Sequence, residues 1–218
     1  MKKRAVIAAV LLILFSTIIP QIKIQLIKFN VKKISIENNF LIKEKDLNES
    51  LAPILNKNLL LLKNKEIEQI LKNNSLIKSF KVKKKYPDTL KIKIIEKKPI
   101  AILFDKKKKF YLSEKIDLIE FENLPNFEDL PYVFGNQHQF NIFYNNLIDI
   151  NFPFYLIKKY TFYETNRWDL ETINGKVIKL PSRNYIQSIE SYLNIKNKNE
   201  FRKYKVFDYR ITNQLILK

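Results

Sequence analysis

Period-two alternation on either side of a short turn dominates the middle of the chain. From Leu76 to Ala101, apolar Leu76, Phe80, Val82 and Tyr86 alternate with lysines, and so do Leu90, Ile92 and Ile94. The odd positions carry Lys81, Lys83, Lys85, Lys91 and Lys93. Between the runs, Pro87 presets φ for a tight turn and Asp88 can bond back to nearby backbone. This predicts a β-hairpin with one buried face, and Pro99 marks a break after it. Upstream, Val31, Ile34 and Ile36 predict a short strand, closed at Asn38-Asn39 because Asn tolerates the left-handed turn conformation. Leu47, Leu51 and Ile54 share a helical face, and Pro53 predicts that the helix stops by Ala52. Leu59 to Leu62 read as a short buried run. Asn64 reads as the cap of a second helix with Ile67, Ile70 and Leu71 inside, ended by Asn73-Asn74. The order is strand, helix, helix, strand, strand.

Beyond Pro99 the pattern is mostly of short strands. Phe110 to Leu112, Ile116 to Ile119, Tyr160 to Tyr163 and Arg167 to Thr172 read as strands, and Asn174-Gly175 is a hairpin signal before Val177 to Leu180. The stretch from Leu124 to Gly135 reads as irregular. Phe140, Phe143, Leu147 and Ile150 mark one helix, and Tyr185, Ile189 and Leu193 another. From Phe201 to Leu217 the chain reads as a closing extended stretch, with Phe207, Tyr209, Ile211, Leu215 and Leu217 on one face. Either it pairs inside the sheet, or it is an edge strand able to template an added strand from a partner.

At the start, Met1-Lys2-Lys3-Arg4 precedes an uncharged run from Ala5 to Ile19, followed by Pro20-Gln21-Ile22. Ala5 to Ile22 is short but sufficient for a spanning helix. A cleaved signal peptide is the alternative, but no Ala-x-Ala-like pair of small residues follows. The expectation is a tail at residues 1–4 and an anchor at 5–22, with function on the far side of the membrane.

Composition narrows the chemistry. The 218 residues carry net charge +18, but Arg stands at only five positions, so Lys dominates the 40 basic residues. Bidentate recognition of phosphate and guanine favours Arg, so the charge reads as solvation rather than a nucleic-acid signal. The Lys106–Lys109 run reads as a solvated loop or strand edge. There is no Cys, and the two Gly residues supply no phosphate-cradling loop. His138, the one histidine, reads as a surface residue in a loop. Asp169 and Glu171 share a strand face and read as water-exposed, and Trp168 as core. No catalytic, metal or cofactor-binding residue is expected, nor a small-molecule substrate.

These motifs carry a family resemblance. Tyr86-Pro87-Asp88-Thr89-Leu90 with Glu96-x-x-Pro99-Ile100-Ala101 resembles the end of the POTRA module of the FtsQ/DivIB bacterial cell-division proteins. The strand–helix–helix–strand–strand order matches that module, with Asn38-Asn39 standing where the family usually has Gly. Phe110-Tyr111-Leu112, Leu130-Pro131-Tyr132-Val133-x-Gly135, Arg167-Trp168-Asp169-Leu170 with Asn174-Gly175, Ile178 to Pro181, and Asp208-Tyr209-Arg210 resemble the family's β-domain in the same order. The resemblance implies an α+β chain: a transmembrane helix, a βααββ POTRA domain at 30–98, and a β-rich domain with flanking helices at 99–218. It implies a non-enzymatic, single-pass inner-membrane scaffold at the division septum, N-terminus cytoplasmic and C-terminus periplasmic. Its implied partners are FtsB, which travels with FtsL, and also FtsK and FtsW. Carried over by position, the partner-binding residues are Arg210, Ile211, Thr212, Asn213, Gln214, Leu215 and Ile216. A POTRA-bearing envelope transport or assembly factor is the other class, although neither several POTRA repeats nor a membrane barrel is visible.

Overall fold

The computed structural model describes residues 2–16, 29–211 and 214–218. The chain divides into two compact units, Met1–Glu96 and Lys97–Lys218.

The first unit opens with helix α1, Lys2–Ser16, whose apolar side chains from Val6 to Phe15 are exposed. Among the described residues no helix is long and apolar enough to cross a membrane. The expected span continues past Ser16 into positions outside the described residues. The remainder of the unit is β1 (Lys33–Glu37), α2 (Glu44–Leu51), α3 (Asn64–Leu71), β2 (Ile77–Lys85) and β3 (Thr89–Glu96). β3 lies in the centre of a three-stranded sheet, parallel to β1 and antiparallel to β2. Leu90, Ile92 and Ile94 are fully buried, as are Leu51 and Ile67 of the helix faces, with Leu47 and Leu71 nearly so, while Lys81, Lys83, Lys85 and Lys93 of the hairpin face water.

Local chemistry explains the boundaries. Asn38 takes the left-handed conformation (φ 65°) that ends β1. Helix α2 gives way at Ala52 to a single 3₁₀ turn containing Pro53. Asn64 is not the cap of α3: it is the first helical residue, and Glu66 instead accepts the Lys63 backbone N–H at 3.3 Å. Leu59 and Leu62 are buried, but Leu60 and Leu61 point outward, so the leucine run is only half buried. Glu96 closes the far end, its carboxylate accepting the N–H groups of Phe40, Leu41 and Ile42 at 2.9–3.1 Å.

The second unit is a nine-stranded sheet with two helices. Its strands are β4 (Pro99–Asp105), β5 (Lys108–Ser113), β6 (Leu118–Glu120), β7 (Tyr132–Phe134), β8 (Ile157–Tyr163), β9 (Arg167–Thr172), β10 (Val177–Lys179), β11 (Val206–Asp208) and β12 (Ile216–Leu217). They lie in the order β12-β11-β10-β9-β8-β7-β4-β5-β6. Helices α4 (Gln137–Asp149) and α5 (Tyr185–Ile195) bury Phe140, Phe143, Leu147, Ile189 and Tyr192 in one core with Val133, Tyr160, Trp168, Leu170, Ile178 and Phe207.

The break marked by Pro99 falls between β3, which ends at Glu96, and β4, which Pro99 opens. The lysine run is solvated as expected: Lys106 and Lys107 form the β4–β5 turn, and Lys108 and Lys109 are the exposed first residues of β5. Other expectations need correction. Ile116 is not in a strand: it is a buried residue at φ 60° in the turn before β6. Tyr132-Val133-Phe134, read as irregular, is an interior strand of the sheet, parallel to both β4 and β8. His138 is exposed as expected, but in the first turn of α4 and not in a loop. Asp169 is not water-exposed: it is 8% accessible and bonded to Arg167.

Candidate functional site

The final residues do not form one extended stretch. The chain runs from a 3₁₀ turn at Asn199–Phe201 into β11, leaves the sheet after Asp208, and folds back antiparallel as β12. Asp208 drives the departure. Its carboxylate accepts the Arg210 backbone N–H at 3.1 Å, an Asx-type reversal, and Gln214 N–H bonds Ile211 O at 3.2 Å. The reversal preserves the parity of the apolar positions, so Phe207 and Leu217 stand opposite each other.

β12 is an edge strand, hydrogen-bonded to β11 alone. Lys218 and Val206 exchange both backbone N–H···O bonds, at 3.1 and 3.0 Å. Antiparallel pairs alternate in this respect, so the N–H and C=O of Leu217 point away from β11 toward the open side. The free edge is therefore short.

The seven carried-over residues separate into different environments. Arg210 and Ile211 are exposed in the reversal, Gln214 is exposed, and Leu215 is half-buried against the core. Ile216 lies in β12 opposite Asp208. Thr212 and Asn213 lie outside the described residues. Arg210, Ile211, Gln214 and Leu215 do come together on one side of a cleft of about 610 Å³. The opposite wall is the start of α5 and the loop before it, with Arg183, Gln187, Ser188 and Ser191. None of these four was anticipated. The available signal was their small or polar character beside the apolar Tyr185–Ile189–Leu193 face. The described lining holds two arginines and no carboxylate.

Charges are ordered on the sheet face beside this cleft. Asp169, Lys179 and Asp208 stand directly across from one another on β9, β10 and β11. Arg210 grips Asp208 through Nε to Oδ1 at 2.8 Å and Nη2 to Oδ2 at 2.6 Å. The Arg210 hydrogen bond holds the Asp208 carboxyl below the usual carboxylate range, against its burial. Burial pushes Asp169 the other way, upward, with Arg167 opposing. Burial likewise raises the Tyr209 phenol, with Ser191 opposing. Among the described residues no cluster of His, Cys, Asp and Glu could hold a metal.

Comparison with known proteins places this architecture. The family model of the FtsQ-type POTRA domain matches residues 29–97. The chain is 32% identical over 155 residues to the cell division protein FtsQ of Rickettsia bellii (strain RML369-C), covering 68% of this chain and 57% of the relative. It is 31% identical over 159 residues to FtsQ of Rickettsia conorii (strain ATCC VR-613 / Malish 7), covering 70% and 58%. The chain belongs to the FtsQ/DivIB family. Among solved structures, the major extracytoplasmic domain of the cell division protein DivIB from Geobacillus stearothermophilus aligns at 17% identity and TM-score 0.35, over 51% of this chain and 99% of that one. The membership rests on the sequence matches. The match spans less than three fifths of the length of these FtsQ relatives. The FtsQ-type POTRA match, ending at residue 97, does not include the residues of the C-terminal edge or its cleft.

Proposed function

We propose that this chain is a non-enzymatic scaffold of the bacterial cell-division machinery, held in the inner membrane at the septum by residues 5–22. Residues 1–4 stay in the cytoplasm, and a POTRA domain at 30–98 and a β-domain at 99–218 lie in the periplasm. It links divisome proteins by adding a strand of FtsB, accompanied by FtsL, to its C-terminal edge; FtsK and FtsW are further partners. The observation that carries this reading is the edge position of β12, with the Leu217 backbone turned outward beside a cleft holding Arg183 and Arg210. Strand addition draws affinity from main-chain hydrogen bonds, and the cleft offers charge recognition for acidic side chains flanking the added strand. Family membership supports the division role, and the exposed apolar side chains of α1 support membrane residence. Confinement of all partners to one membrane raises their effective concentration, so modest single affinities suffice.

The test is capture of the periplasmic segments of FtsB and FtsL from the same cell by the full chain in detergent. Leu217→Pro removes the outward-facing donor and leaves the Ile216 and Lys218 ladder bonds in place. With circular dichroism showing both chains folded, the parent captures FtsB and the variant does not. Equal capture by the variant overturns strand addition at this edge. No capture by the parent overturns the choice of these partners.

A further inference from the structure

One end of the first unit gathers three segments. Phe29, where the described chain resumes after α1, accepts the Leu59 N–H through its carbonyl at 2.7 Å and meets the Tyr86 ring edge to face at 6.0 Å. Asn30 bridges to Asn58, and Lys32 N–H donates to Asp88 O at 2.8 Å. Lys84 Nζ ties the loop to the hairpin by donating to Leu62 O at 2.6 Å and Leu60 O at 3.3 Å. The point of chain entry, the Asn58–Leu62 loop and the Tyr86–Asp88 turn are thus one surface.

That surface is apolar by construction. Asn58 Oδ1 accepts the N–H groups of Leu60 and Leu61, at 3.0 and 3.4 Å, which fixes the loop with both side chains outward. Leu61 is 76% exposed, Tyr86 53% and Leu60 41%. Cations flank it. Lys85 precedes the turn, and Lys33 stands opposite Thr89 just after it. Behind them, the outer sheet face sets Lys83 directly across from Lys91 and Lys81 across from Lys93. Like charges so placed repel. Glu37, paired with Lys91 at 2.7 Å, is the one carboxylate on that face among the described residues.

Exposed leucines and a tyrosine ringed by lysines are the chemistry of an interfacial membrane contact, in which apolar tips enter the headgroup boundary and lysines meet anionic lipids. The occupant follows from the sequence. Only twelve residues, 17–28, separate apolar α1 from Phe29, a reach of about 40 Å at full extension. We propose that this tip of the first unit, Leu60, Leu61 and Tyr86 with Lys33, Lys83 and Lys85, docks on the anionic bilayer in which the N-terminal segment is anchored. The inference rests on the membrane-anchor reading and adds a second, reversible contact that holds the unit close to the lipid surface.

The chain has no Cys, so single cysteines can be labelled uniquely. Leu61→Cys and, at the opposite end of the unit by the Glu96 contact, Phe40→Cys are each tagged with an environment-sensitive NBD fluorophore. The full chain is reconstituted into phosphatidylcholine vesicles with and without phosphatidylglycerol. Flotation with pure phosphatidylcholine vesicles tests the anchor by itself. In anionic vesicles the probe at 61 shifts to the blue and is quenched by brominated lipid, while the probe at 40 stays aqueous. Lys83→Gln with Lys85→Gln lowers the docked-to-undocked ratio about fivefold per lysine removed, and salt does the same. If the chain floats but the probe at 61 stays as aqueous as the probe at 40, the docking is overturned, and the patch falls to a protein partner. If the chain does not float, the anchor reading fails first.

Discussion

Asp208 and Arg210 hold each other through two parallel charge-assisted hydrogen bonds while standing at the mouth of the last chain reversal. The carboxylate is 5% exposed, yet its partner reaches the surface. The same aspartate therefore ends β11, shapes the loop beyond it, and sets one arginine of the cleft in place.

Asp208 and Asp169 predict opposite acid responses. The Asp208 carboxyl is held down, chiefly by Arg210. Its stabilisation is present above the unfolded value of about 4 and is lost as pH falls through the lower folded value. Asp169 is pushed up, chiefly by burial. Its contribution is present below about pH 4 and is lost as pH rises through the higher folded value. Urea midpoints across this range check both. Asp208→Asn loses about 1–2 kcal/mol at neutral pH, a deficit that shrinks in acid. Asp169→Asn gains on the parent as pH rises.

Glu96 predicts a local effect in the first unit. Its carboxylate satisfies three consecutive backbone donors of the turn after β1. Glu96→Ala leaves those N–H groups to water, costs about 1–3 kcal/mol, and accelerates amide hydrogen exchange at Phe40, Leu41 and Ile42 above that of β3. Unchanged exchange there shows that the turn holds without the carboxylate.

In the second unit, Phe143 of α4 stacks on Trp168 of β9 with centroids 4.9 Å apart and planes 20° apart, and Phe143 is 1% exposed. This is the seam between helix and sheet. Phe143→Ala costs about 3–5 kcal/mol of stability, read as a shift of the denaturant midpoint. The same variant leaves the C-terminal edge geometrically intact, so partner capture by the folded fraction persists.

The elements legible in the sequence were those with enough repeats of one period. The β2–β3 hairpin shows its alternation over many residues, and the α2, α4 and α5 faces show i, i+3, i+4 or i+7 spacing. The left-handed Asn38 was legible from side-chain chemistry alone. β7 was not, because three residues between Pro131 and Gly135 show no period, and its partners, β4 and β8, pair in parallel from distant parts of the chain. Leu59–Leu62 concealed its two outward leucines because four identical residues carry no phase. The last strand misled for the opposite reason. The reversal kept Phe207, Tyr209, Leu215 and Leu217 in one parity, so two short strands and a loop read as one. The cleft beside it was illegible because its walls are joined only by the fold.

Gly135 is the sharpest test of the strand that the pattern did not reveal. A Cβ built there meets the Phe162 Cβ at 2.9 Å and Trp168 at 3.5 Å. Phe162 and Trp168 are themselves cross-strand neighbours on β8 and β9, with rings 5.0 Å apart. Neither can retreat without disturbing the helix–sheet seam at Phe143. Gly135→Ala therefore forces the end of β7 away from β8 and destabilises the second unit by about 1–3 kcal/mol. Gly175→Ala is the matched control: at φ 72° it carries conformational strain of about 1 kcal/mol, but nothing lies within 4 Å of its Cβ. Thermal melts of the two variants, with near-ultraviolet circular dichroism reporting on Trp168, separate the effects. The Gly135 variant alters the Trp168 signal, and the Gly175 variant lowers the melting temperature with that signal unchanged. An unaltered Trp168 signal in the Gly135 variant would mean that the displaced end of β7 leaves the aromatic seam undisturbed.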